Sequence, residues 1–163
     1  MTLDAFKPEM EKVKILEISI GYSTVHLFEQ DKLEEGQVGY AIDPKGKSLT
    51  GTAEGDWRPT WVVIGYEESL GDPIFVDIAQ RDFPVYTAMI GRGKWSEEKI
   101  ADSFHGFIKG LELISGIAVG RESPVLLDQN PISDEDIRQT ITRIEQENPT
   151  SNIEFWELLL GND

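Results

Sequence analysis

Three apolar runs stand close together in the middle of the chain: Trp61–Tyr66, Ile74–Ile78 and Val85–Ile90. Parallel neighbours need a crossover of about a dozen residues or more, and these links are too short for one. The runs are therefore expected to pair as an antiparallel meander. In the first run Trp61 and Val63 share one face, while Val62, Ile64 and Tyr66 share the other. Apolar residues on both faces describe a strand covered on both sides. Pro73 suits the first position of the second strand. Glu67 to Asp72 reads as a polar connection in which Gly71 can take a positive φ.

The remaining chain supplies edges and cover. Ile15–Ile20 and Thr24–Phe28 read as strands around the turn Gly21-Tyr22-Ser23, and Gln37–Ile42 as a further strand. Leu3 to Lys12 reads as a short helix with Pro8 near its first turn. Asp43 to Gly55 collects turn residues and reads as a loop or open hairpin. The Gly91-Arg92-Gly93-Lys94 stretch reads as a strand-to-helix loop. Behind it, Ser96 is the expected N-cap of a long helix reaching Ala118, with Gly110 and Gly116 as points where it could stop. Ile100, Phe104, Phe107, Ile108, Leu111, Ile114 and Ile117 give it an apolar stripe that would cover the sheet. Glu122–Pro131 reads as a loop, Ser133 as the cap of a second helix with the stripe Ile137, Ile141 and Ile144, and Ile153–Leu160 as a last short helix. The expected fold is α+β: an antiparallel-rich twisted sheet covered by a long helix, with additional C-terminal helices, in one domain over 1–163.

Charge narrows the function. The chain has 30 acids against 15 bases, a net charge of −15. A nucleic-acid binder needs a basic face to displace counterions, and none is present. Ten acids and two bases fall in 122–163, so more than half of the net charge sits in this acidic helical extension. An acidic surface repels nucleic acid and anionic lipid and attracts basic partners. No apolar run approaches the ~20 residues that cross a bilayer. The opening MTLDAFKPEMEK lacks the basic-then-apolar form of a signal peptide, and there are no cysteines. The expected location is the cytoplasm, without membrane association.

Candidate chemistry is sparse. His26 and His105 are isolated, with no zinc spacing. The glycines at 91 and 93 are one residue apart and Trp95 follows Lys94, so the phosphate-loop signature fails twice. No catalytic residue, metal site or cofactor is assigned. The carboxylates Glu67, Glu68 and Asp72, with Trp57 as an aromatic anchor, are the candidate partner-binding residues, and the acidic C-terminal helices are the rival face.

The order of several pieces resembles the SUKH superfamily, which contains the yeast regulator of cell-wall synthesis and many bacterial immunity proteins. Those pieces are His26-Leu27-Phe28 with Lys32-Leu33-Glu34, Trp61-Val62-Val63-Ile64-Gly65, Gly71-Asp72-Pro73-Ile74 leading into Val76-Asp77-Ile78, Pro84-Val85-Tyr86, Trp95, and Ile100-Ala101-Asp102-Ser103-Phe104 running on to Phe107-Ile108. The resemblance covers Val25 to Leu113. It implies a binding fold without a shared catalytic centre, and for immunity members a toxin partner such as a nuclease. The leading expectation is thus a non-enzymatic immunity-type protein that binds a basic toxin domain. A regulatory interaction protein is the alternative, and a small-ligand binder or enzyme using the 91–94 loop is a third reading.

Overall fold

The computed structural model describes residues 3–161, so two residues at each end of the span 1–163 lie outside it. Six strands lie in chain order across one antiparallel sheet: β1 (Glu17–Ile20), β2 (Ser23–Leu27), β3 (Trp61–Glu67), β4 (Pro73–Asp77), β5 (Val85–Gly91) and β6 (Lys94–Ala101). Five α-helices accompany it: α1 (Lys7–Glu11), α2 (Phe104–Ala118), α3 (Pro124–Gln129), α4 (Asp134–Glu147) and α5 (Glu154–Leu159). The architecture is the expected α+β one, with α2 across the sheet and further helices behind it.

Period-two alternation sorts the strands into two cores. Val62 and Ile64 of β3, with Ile74 and Val76 of β4, face the helices and pack with Phe104, Phe107, Leu111 and Ile114 of α2. Trp61, Val63 and Phe75 face the other way. There the long connection between β2 and β3 folds back as a second cover, bringing Trp57 onto the sheet and Tyr40 against it. Gln37 fastens this cover. Its buried amide donates to the Val63 carbonyl and accepts from the Val63 N–H, at 2.8 and 2.9 Å, treating β3 as a strand would. The expected strand at Gln37–Ile42 does not form; Glu35–Gln37 is a 3-10 turn and the following residues turn away.

The largest departure from the sequence reading lies between Gly91 and Ser103. Ser96 caps nothing, because residues 94–101 are β6. Gly91-Arg92-Gly93-Lys94 is the tip of a β-hairpin rather than a strand-to-helix loop, and no helix N-terminus follows it. Arg92 and Gly93 both take positive φ, 54° and 75°. That backbone pair matches the twist of two adjoining strands. The helix begins seven residues later than Ser96 predicts, with Ser103 in extended conformation accepting from the Gly106 N–H at 2.9 Å. Neither Gly110 nor Gly116 stops it before Ala118. The expected loop 122–131 also contains α3, capped by Ser123.

The C-terminal helices are tied to the β6–α2 junction by polar contacts. Asn148, buried at the end of α4, accepts from the Asp102 N–H and donates to the Gly106 and Ile144 carbonyls. Asp102 accepts from the Thr150 N–H and the Ser151 hydroxyl. Burial works against this carboxylate, yet those hydrogen bonds and Lys99 outweigh it and hold its carboxyl below the ordinary aspartate value. Trp156 then anchors α5: its indole N–H donates to the Ile100 carbonyl at 2.8 Å, and its ring is fully buried beside Phe107. These ties set where α5 stands relative to the sheet.

Candidate functional site

α5 does not lie flat on the sheet along its whole length. Between it and the β3–β4 connection runs a groove of about 680 Å³. Thr87 and Met89 of β5, with Ser96 and Glu98 of β6, form its floor. Phe155, Leu158 and Leu159 form one wall; Leu70, Ser69 and Asp72 form the other. Several of these apolar side chains face water. Leu70 is 71% exposed and Met89 65%, too much for core residues and too close together for scattered surface apolars.

The apolar lining is ringed by carboxylates. Glu67, Asp72, Glu97, Glu98 and Glu154 all border the groove. Among the described residues no ion pair reaches any of these five. Burial lifts the Asp72 carboxyl above its ordinary value, and the charge of Glu67 lifts it further. Burial likewise lifts Glu98, with Glu154 adding to the shift. Both shifts have the cause expected of carboxylates held partly out of water beside one another. A cation arriving in the groove would relieve both.

The sequence-assigned residues meet different fates. Glu67 and Asp72 border the groove. Glu67, however, is 7% exposed rather than solvated: its carboxylate accepts from the N–H groups of Ser69 and Leu70 and from the Ser69 hydroxyl, and so shapes the connection. Glu68 turns to β2 instead, where it meets His26 Nε2 at 3.0 Å; Glu17 sits at the other ring nitrogen, and the ring stacks on Tyr66. Trp57 is 1% exposed and cannot serve as a surface anchor in this conformation. Its ring packs against Trp61, Phe75 and Trp95, and its indole N–H reaches the Trp61 carbonyl. The aromatic beside the acids is Phe155.

The strand connection and the acidic C-terminal helices stood as rival faces in the sequence. The connection and the last of those helices, α5, are the two walls of one groove, while α4 does not border it. Residues that sequence reasoning missed are Leu70, Met89, Glu97, Glu98, Glu154 and Leu158. A signal existed for α5: Phe155, Trp156, Leu158, Leu159 and Leu160 are more apolar residues than a six-residue helix can bury on one side. Trp156, Leu159 and Leu160 take the core, which leaves Phe155 and Leu158 for the groove.

Among the described residues, no three histidine or carboxylate side chains are grouped so as to hold a metal ion. No helix of the described residues is long and apolar enough to cross a membrane. Comparison of the chain with protein-family models, with curated proteins and with solved structures gives no match.

Proposed function

We propose that the protein is a non-enzymatic, protein-binding domain whose groove receives a basic surface of its partner, and that the partner is a toxin domain which it neutralises in the cytoplasm. The observation that carries this reading is the pairing of an exposed apolar lining with five carboxylates that no cation among the described residues pairs with. An interface of this kind gains from apolar contact at its centre and from charge complementarity at its rim. The acids that burial has raised favour a cationic occupant over a neutral one. The resemblance of residues 25–113 to the SUKH superfamily supports the immunity-type assignment. The net charge of −15 suits a partner that grips phosphates with basic residues, as nucleases do.

The test is capture from the source cell, followed by work with the two purified proteins. The captured partner should be basic and lose its toxic activity at one equivalent of this protein. Reversal of two groove charges, Glu98→Lys with Glu154→Lys, should weaken binding about a hundredfold or more, as expected when close opposite charges become like charges. A partner of acidic character, or affinity indifferent to those two substitutions, overturns the reading.

A further inference from the structure

We infer that β6 is an accepting edge, and that an extended segment of the partner joins the sheet there as a seventh strand. This rests on the protein-binding reading above and specifies how the partner docks.

β6 ends the strand order, so only β5 flanks it. The two-residue turn places Gly91 opposite Lys94 as a hydrogen-bonded pair. Pairs then alternate along the ladder, so Lys94, Ser96 and Glu98 bond to β5 while Trp95, Glu97 and Lys99 turn their backbone groups outward. Two bonds agree with this. The Trp95 N–H donates outward to the Gly55 carbonyl at 2.8 Å, and the Lys99 carbonyl accepts from the Asn152 N–H at 3.0 Å. Between these two covered points stands Glu97, an exposed residue whose N–H and carbonyl both face outward. The window from Trp95 to Lys99 spans about 13 Å, room for three or four residues of an added strand.

The surroundings suit a strand rather than a helix. Glu97 borders both the groove and a second hollow of about 210 Å³, whose lining includes Trp61, Asp77 and Tyr86 on the opposite face. Side chains of a strand alternate between faces, so successive residues of an added strand would enter the groove and the hollow in turn. On the groove side Glu98 of β6 itself and Glu154, which acts on it, border the path, and the matching residue is lysine or arginine.

The test uses a blocked octapeptide of alternating lysine and valine, titrated into the full chain and followed residue by residue in amide NMR spectra. Saturable shifts at Glu97, with its amide exchange slowed about tenfold at saturation, are expected. Glu97→Pro removes only an outward N–H, which an edge strand tolerates, while Glu97→Gln keeps it. Affinity should therefore be about three- to tenfold lower for Glu97→Pro than for Glu97→Gln, the effect of one lost hydrogen bond. If the proline variant does not fold, the same peptide methylated at alternate backbone nitrogens should lose affinity by a similar factor. Saturable groove binding with unchanged Glu97 exchange and no difference between those pairs overturns the edge while leaving the groove reading intact. Absence of any saturable shift at millimolar peptide also overturns the edge; the capture experiment judges the groove independently.

Discussion

Two glycines in α2 should respond with opposite sign to the same substitution. Alanine is favoured over glycine inside a helix by about 1 kcal/mol, so propensity alone makes both Gly110→Ala and Gly116→Ala stabilising. At Gly116 a new methyl group meets nothing within 4 Å, and the full gain of about 1 kcal/mol is expected. At Gly110 the methyl carbon would lie 2.5, 2.8 and 3.0 Å from three ring carbons of Trp156. That ring cannot swing aside, because its N–H is bonded to the Ile100 carbonyl and its faces pack against Phe107 and Phe155. Overpacking a closed core costs about 1–3 kcal/mol, and contacts this short belong at the upper end, so after subtracting the helix gain Gly110→Ala should lose up to about 2 kcal/mol. Urea denaturation reads both, with Gly110→Ala lowering the midpoint by up to about 1 M and Gly116→Ala raising it by about 0.5 M. Because Trp156 positions α5, Gly110→Ala should also weaken partner binding, which Gly116→Ala should leave alone. Equal stabilisation by both would mean that Trp156 does not sit against α2 as described, and the groove wall would lose its anchor.

Other consequences follow from the same contacts. Asn148→Ala leaves the Asp102 N–H without its partner and opens a small void, and should cost about 2–3 kcal/mol in chemical denaturation. Phe104→Ala, at a nearly buried ring, should cost about 3–5 kcal/mol by the same assay. The groove acids give stability a definite pH dependence. Glu98 and Asp72 bind protons more readily folded than unfolded, so stability should rise as pH falls from neutrality through their raised values towards 4.5 and 3.8. Glu98→Gln should accordingly be more stable than the parent at pH 7, with the advantage fading near pH 4. Asp102 has the opposite sign: its contribution is complete above 3.8 and is lost as pH falls through its lowered value, so thermal melts should show a maximum in mild acid.

The parts of this fold that could be read from the chain are those where one residue has one meaning. Trp61 to Ile64 is apolar on both faces over a length that only a covered strand explains, and Phe104, Phe107, Leu111 and Ile114 recur at a period that only a helix explains. Ile100 belongs to both patterns. It continues the helical stripe backwards from Phe104 and also completes the alternation Ser96, Glu98, Ile100, so β6 was hidden inside an apparent helix. Glu97 and Glu98, directly after the expected cap Ser96, suit the first turn of a helix as well as they suit an edge strand. Trp57 misled for another reason: a tryptophan among glycines and threonines reads as exposed, and only the return of that connection onto β3 and β4 buries it. The groove itself was half legible. Its acids stood out in both the 67–72 connection and the C-terminal extension, but that they converge depends on Asn148, Asp102 and Trp156 docking α5 across residues 46 to 56 positions away in sequence. No local pattern records such a distance.

The most direct test of the groove as the partner's seat is photo-crosslinking from single positions in the source cell. A photoreactive residue replaces Met89 or Leu158 in the groove, and in parallel Leu49 or Val119, which are exposed elsewhere. Met89 and Leu158 should crosslink to the same basic protein, and Glu98→Lys combined with Glu154→Lys should abolish both products while Leu49 and Val119 give none. Crosslinks to the partner from Leu49 or Val119 but not from the groove, or groove crosslinks that survive the double charge reversal, would contradict the account.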